Sequence, residues 1–217
     1  MIHLDLNGGG TNPLQILCLG CHADDIEIGC GGTVLRFADQ YPDAMFDWVV
    51  LSGCEVRRQE AKRAAELFTG KAALRGPVLK SFPDGFLPFV ASEVKQFFEE
   101  LKKTVSPDLI FTHYGKDAHQ DHRLVAELTW NTFRDHMILE YEIPKYDGDL
   151  GRPGVFVPLA ENIYEKKVQY IMEAFQSQHK KRWFEKNTFL SLMRLRGMEC
   201  NSPSGYAEAF YCRKIVL

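Results

Sequence analysis

Two hydrophobic rhythms alternate along this chain. Residues 15–21 form a short apolar run that stops abruptly at His22-Ala-Asp-Asp, the pattern of a buried strand opening into a polar loop. Three glycines (Gly29, Gly31 and Gly32) precede Thr33-Val-Leu-Arg-Phe-Ala, whose apolar spacing predicts a helix capped near Thr33. A second strand is predicted over Asp47–Ser52. From Arg57 to Phe68 the apolar positions Ala61, Ala64, Ala65, Leu67 and Phe68 recur at helical spacing. A short strand near Pro77–Lys80, a helix over Glu93–Val105 and a strand over Asp108–His113 follow, and a helix begins near His122 and runs past Trp130. Further on, residues 139–163 carry six glycines and prolines (Pro144, Gly148, Gly151, Pro153, Gly154 and Pro158) and read as an extended lobe. A helix over Glu165–Phe175, a Lys-rich stretch His179–Lys186 and a last segment from Gly205 to Tyr211 complete the pattern.

Strands alternating with helices predict an α/β fold: a single Rossmann-like, three-layer domain with a mostly parallel sheet. Residues 1–13 read as a flexible extension. In such sheets ligands gather beyond the carboxyl ends of the strands. His22–Asp25 follows the first strand and His113–His122 follows the fourth, so two polar clusters far apart in sequence are predicted at one sheet edge.

Composition narrows the field of functions. With 217 residues, 45% hydrophobic and 25% charged, the chain suits one sizeable core. A net charge of −3, with cations scattered among acids, lacks the basic footprint of a nucleic-acid binder. No run approaches the ~20 apolar residues of a membrane span, and the N-terminus has no signal-peptide pattern, so a cytoplasmic protein is expected. These numbers leave homo-oligomerisation open. Six cysteines read as reduced, mostly buried thiols. Cys18 and Cys21 form a C-x-x-C, but residues three apart on a strand point to opposite faces.

The chemistry gathers in two short motifs. Catalytic zinc takes three protein ligands and leaves a fourth position open. His22-x-x-Asp25 offers two ligands from one loop, and His119-x-x-His122 can supply a third from another. Asp24 then sits where a carboxylate can take the proton of an attacking water, and the remaining histidine, His119, can donate to an oxyanion or a departing amine. Either motif alone is commonplace: acids after a strand usually cap a helix, and H-x-x-H recurs by chance. Their joint placement at two strand ends makes a metal site the better reading. His113, at the end of its strand, suits an orienting partner of a ligand. His3, His136 and His179 have no such company. The glycine run also resembles the loop of nucleotide- and S-adenosylmethionine-binding Rossmann domains, which would make the chain a methyltransferase. That loop should follow its strand directly, whereas Asp24, Asp25 and Glu27 intervene here. A non-catalytic sugar-binding protein is the other alternative, and the intact motifs speak against it.

At these residues the chain resembles the PIG-L/LmbE-like deacetylases. Their first motif, (P/A)H-P-D-D-E, stands here as Cys21-His22-Ala23-Asp24-Asp25-Ile26-Glu27, and their second, H-x-D-H, as His119-Gln120-Asp121-His122. Arg57-x-x-Glu60, Ser177-Gln178 and Tyr206-Ala-Glu-Ala-Phe210 match other recurring segments, so the resemblance runs from about residue 15 to residue 212. It implies a zinc-dependent N-deacetylase holding one Zn2+ on His22, Asp25 and His122; Fe2+ suits the same donors. It also implies Asp24 as general base, His119 at the oxyanion or leaving amine, Asp121 supporting that histidine, and Arg57 near the substrate. The implied substrate is a small amino sugar conjugate carrying an N-acetylglucosamine-type group. Ala23 replaces the usual proline. Asp117 stands where some relatives carry an aromatic residue, so a role for that aromatic does not transfer, and Tyr114 is the nearest substitute. The basic and aromatic residues over Lys180–Lys186 read as a solvated helix face with a buried stripe.

Overall fold

A computed structural model describes residue 6 and residues 12–70 and 72–216. Among the described residues seven strands form one sheet: β1 (Gln15–Gly20), β2 (Met45–Ser52), β3 (Ala73–Phe82), β4 (Leu109–His113), β5 (Met137–Tyr141), β6 (Val155–Pro158) and β7 (Ala207–Cys212). Six helices accompany them: α1 (Asp25–Gln40), α2 (Glu55–Thr69), α3 (Ala91–Leu101), α4 (Gln120–Thr132), α5 (Glu161–Ala174) and α6 (Lys186–Glu199). The strand order is β3-β2-β1-β4-β5-β7-β6. The first five strands pair in parallel, and β7 runs antiparallel to both β5 and β6. This is the predicted Rossmann-like α/β sheet, and its order reverses between β1 and β4.

Strand alternation separates two cores. Ile16 and Cys18 of β1, Trp48 of β2 and Phe111 of β4 pack with α1, α2, α5 and α6. Leu17, Leu19, Val49 and Ile110 face the other way, onto α3 and α4. Cys18 and Cys21 fall into opposite cores, and all the described cysteines are free thiols. β3 is an edge strand, largely solvent-facing, with Pro77 inside it and register shifts against β2, the usual protection of a sheet edge.

Three expectations need correction. Gly29, Gly31 and Gly32 lie inside α1, which starts at Asp25 rather than near Thr33. A Cβ on Gly29 would collide with the Tyr141 ring, and one on Gly31 would meet Phe68 at 2.5 Å. The glycines therefore let the helix approach β5 and α2 closely, a tertiary gain that overrides low helix propensity. The lobe expected over 139–163 is only a loop over 142–154, because β5 and β6 occupy its flanks and α5 begins at Glu161. The Lys-rich stretch is a run of turns with Phe184 buried, and α6 follows it where no helix was predicted. Most of the expected extension over 1–13, with His3, lies outside the described residues.

One buried ion pair fixes α1. Lys167 Nζ on α5 donates to the Ile28 carbonyl at 2.7 Å and to Glu208 Oε1 on β7 at 2.6 Å. Glu208 in turn accepts from the N–H groups of Gly32 and Thr33 at 2.7 and 2.6 Å. Removing one member of such a pair strands a buried charge. Lys167→Met is expected to lower stability by about 3–5 kcal/mol in urea unfolding, and Lys167→Met/Glu208→Met to recover part of that loss. Equal losses in both variants would contradict the coupling.

Candidate metal centre

The site forms where the sheet order reverses, the crevice expected to hold ligands in doubly wound sheets. β1 delivers Cys21 and His22 to the carboxyl edge, and the Ser52 N–H pins the Cys21 carbonyl at 2.8 Å. Asp24 is the N-cap of α1, yet its side chain makes no capping bond. Asp25 opens the first turn and its Oδ2 accepts the His22 backbone N–H at 2.6 Å. From the other side, β4 ends at His113 and α4 is capped by His119.

Three ligand atoms converge. His22 Nδ1 lies 3.1 Å from His122 Nε2 and 3.3 Å from Asp25 Oδ2, and the last two are 3.5 Å apart. A tetrahedral zinc with bonds of about 2.0–2.1 Å sets its ligands about 3.3–3.4 Å from one another, so the donors fit the ion. Other threesomes in the cluster also come within 4.8 Å: His22, His119 and His122; Cys21, His22 and Asp25; Asp25, His113 and His122; and His22, Asp84 and Asp121. Hydrogen bonding separates them. His122 Nδ1 faces Asp117 Oδ2 at 3.1 Å, which leaves its Nε2 as the lone pair. His22 Nε2 faces Asp84 Oδ1 at 3.1 Å and Asp121 Oδ2 at 3.6 Å, which leaves Nδ1 as the lone pair. His113 Nε2 already accepts the Cys21 N–H at 2.9 Å. His119 Nδ1 already accepts the Asp121 N–H at 3.2 Å, so its neutral ring carries the proton on Nε2. Burial pushes the Cys21 thiol up to about 12, which keeps it protonated. His22, Asp25 and His122 are the set with free lone pairs that can hold a metal.

The flanking groups divide the remaining work. Asp24, almost fully buried, meets Arg57 Nη2 at 2.8 Å. Burial pushes its carboxyl up and the Arg57 guanidinium restrains it. Burial alone would also raise Asp25, but His122, His113 and His22 hold it well below the usual carboxylate range. Arg57 is thus placed against Asp24, and its other arm meets Glu60 at 2.7 Å. The expected support of His119 by Asp121 comes from the backbone. The Asp121 carboxylate instead accepts from Gly85 N and Leu87 N at 2.7 and 3.1 Å. His113 Nε2 lies 3.2 Å from Asp25 Oδ2 and its ring stacks on His122. Tyr114 stacks on Tyr211. Beside His22 opens a groove of about 410 Å³ between Cys54, Arg57 and Arg58 on one wall and Ser81–Asp84 on the other.

Two participants escaped sequence reasoning. Asp117 holds the outer nitrogen of His122 and accepts Lys145 Nζ at 2.8 Å; although burial opposes it, His122 and Lys145 lower its pKa to about 2. An acid five residues before a histidine is no recognisable signal. Asp84, which reaches His22 from the loop after β3, is likewise an ordinary Pro-Asp-Gly turn in sequence.

Comparisons with known proteins identify the family and the fold. The model of one family, described as PIG-L: GlcNAc-PI de-N-acetylase, matches residues 17–133. The uncharacterized deacetylase YaiS of Escherichia coli (strain K12) is 29% identical over 139 residues, covering 59% of this chain and 74% of that protein. The N,N'-diacetylchitobiose deacetylase of Pyrococcus horikoshii has a similar structure, with a TM-score of 0.70 at 19% identity, over 96% of this chain and 86% of that one. So does GalB, the 4-carboxy-2-hydroxymuconate hydratase of Pseudomonas putida KT2440, with a TM-score of 0.74 at 18% identity over 94% and 98%. These two structures share the fold alone, and their activities differ.

If Asp117 fixes the tautomer of His122, Asp117→Asn lowers metal affinity by about 10–100-fold while the fold is kept. Competition with a chromophoric chelator measures this, and unchanged affinity would remove Asp117 from the site.

Proposed function

The chain belongs to the PIG-L family of GlcNAc-PI de-N-acetylases, and from that premise we propose a metal-dependent hydrolase that removes the N-acetyl group from an N-acetylglucosamine-type conjugate. In this reading His22, Asp25 and His122 hold one ion. The observation that carries it is the convergence of their three free lone pairs beside a carboxylate and an N–H donor that are not needed as ligands. Two imidazoles and one carboxylate suit zinc, and Fe2+ accepts the same set. Such an ion, when bound, polarises the acetamide carbonyl and lowers the pKa of nearby water.

The chain's own residues supply the proton handling. Asp24 takes the proton of the attacking water. Burial makes its carboxyl a stronger base, and Arg57 keeps it from being neutralised outright. His119, whose proton sits on Nε2, donates to the oxyanion as the carbonyl carbon becomes tetrahedral. Asp24 then returns its proton to the departing amine, and acetate is the other product. Asp121 keeps the loop after β3 against α4, and Arg57 orients Asp24 from α2.

Acetate release, followed over a panel of N-acetylglucosamine conjugates with metal content measured on the same samples, tests this assignment. The native protein is expected to hold one divalent ion per chain, and chelation should abolish turnover until zinc is returned. Asp24→Asn is expected to lose about 10²–10⁴-fold in kcat with its metal retained. Near-native rates in that variant would remove Asp24 as the base.

A further inference from the structure

Lys145 reaches the candidate metal centre from the loop over 142–154. Its Nζ donates to Asp117 Oδ2 at 2.8 Å, and that same oxygen accepts the Nδ1–H of His122 at 3.1 Å. The other Asp117 oxygen, Oδ1, accepts the His119 backbone N–H at 2.7 Å. One buried carboxylate oxygen thus serves a cation and a proposed metal ligand together, and the cation has the shorter contact.

The ammonium is fixed independently of any ion. Lys145 Nζ also donates to the Ile143 carbonyl at 3.2 Å and pairs with Asp149 Oδ2 at 2.6 Å. Asp149 Oδ2 in turn accepts the Ala118 N–H at 2.6 Å, between Asp117 and His119 in sequence. At the root of the loop, buried Glu142 accepts two bonds from Arg196, at 2.9 and 2.8 Å. All three Lys145 protons are therefore in use, and its side chain is only 14% exposed.

The consequence for an ion depends on two opposed effects. A carboxylate on the outer nitrogen of a ligating histidine raises the donor strength of the ring and tightens the hold on a metal. A fixed ammonium on the same carboxylate oxygen opposes this, because it takes a share of the negative charge and repels a nearby dication. Order works the other way, since Lys145 and Asp149 brace residues 117–119. Charge is the larger effect here. Asp117 keeps the His119 N–H, and the Arg123 guanidinium holds the Asp117 and Ala118 carbonyls, independently of Lys145.

Resting on the metal-dependent reading above, we infer that Lys145 is a positioning residue that weakens the hold of His122 on the ion by keeping part of the Asp117 charge to itself. A donor restrained in this way leaves a bound ion more electron-poor.

Zinc affinity, measured by competition with a chromophoric chelator at fixed pH and ionic strength, tests this role. Lys145→Met is expected to bind zinc about 3–10-fold more tightly than the native chain, and Lys145→Arg within about twofold of it. In the Asp117→Asn background, Lys145→Met is expected to bring little or no gain, because the carboxylate it acts through is gone. Weaker or unchanged binding in Lys145→Met, with native-like circular dichroism and urea midpoint, overturns the role. The same gain in both backgrounds assigns the effect to net charge alone and also overturns it. If Lys145→Met fails to fold, Lys145→Gln carries the same expected sign and decides. Native protein that binds zinc but releases acetate from no conjugate removes the deacetylase reading and leaves these affinities to decide. Native protein that binds no zinc overturns the metal reading and the role of Lys145 together.

Discussion

Two imidazole nitrogens 3.1 Å apart, with a carboxylate oxygen within 3.5 Å of both, repel one another unless a proton or a metal ion lies among them. The surrounding residues all enforce that arrangement. Asp117 holds the outer nitrogen of His122, Asp84 and Asp121 hold that of His22, and the His22 backbone N–H fixes Asp25. In water such donors would turn away. Here burial and hydrogen bonding hold them face to face, which is the preorganisation a tight metal site requires.

The fold makes this convergence affordable by bringing β1 and β4 side by side at the point where strand order reverses. Residues nearly a hundred positions apart then share one edge. The placement of α1 matters most, because Asp24 and Asp25 stand at its start. Gly29 and Gly31 let that helix press against Tyr141 and Phe68, and Lys167 and Glu208 grip its second turn. A shift of the helix would move a proposed base and a proposed ligand together.

Much of this was legible in the sequence, for identifiable reasons. Local polar motifs after apolar runs gave the two halves of the site, and the period of the apolar residues gave the parallel sheet. Cys18 and Cys21 fall on opposite sheet faces as strand geometry requires. What stayed hidden depends on tertiary contact. Glycines inside α1 read as a loop because nothing local reveals Tyr141 or Phe68 waiting beside them. Glu27 reads as one more acid of the loop, yet it is wholly buried, and burial raises its pKa well above the usual range. β6 and α6 carry weak patterns of their own and owe their form to β7 and the first core. Arg57 was expected near the substrate; its partner Glu60 belongs to the Arg57-x-x-Glu60 segment read in the sequence, whereas Asp24, at the start of another helix, shares no sequence signature with it.

The most direct test of the metal centre is a crystal structure of the zinc-loaded protein with anomalous scattering measured on both sides of the zinc edge. One strong peak is expected within about 2.0–2.2 Å of His22 Nδ1, Asp25 Oδ2 and His122 Nε2, with Asp24 and His119 beside it and unbound. A peak held instead by Cys21 or by His119, or no peak among these residues, would contradict it.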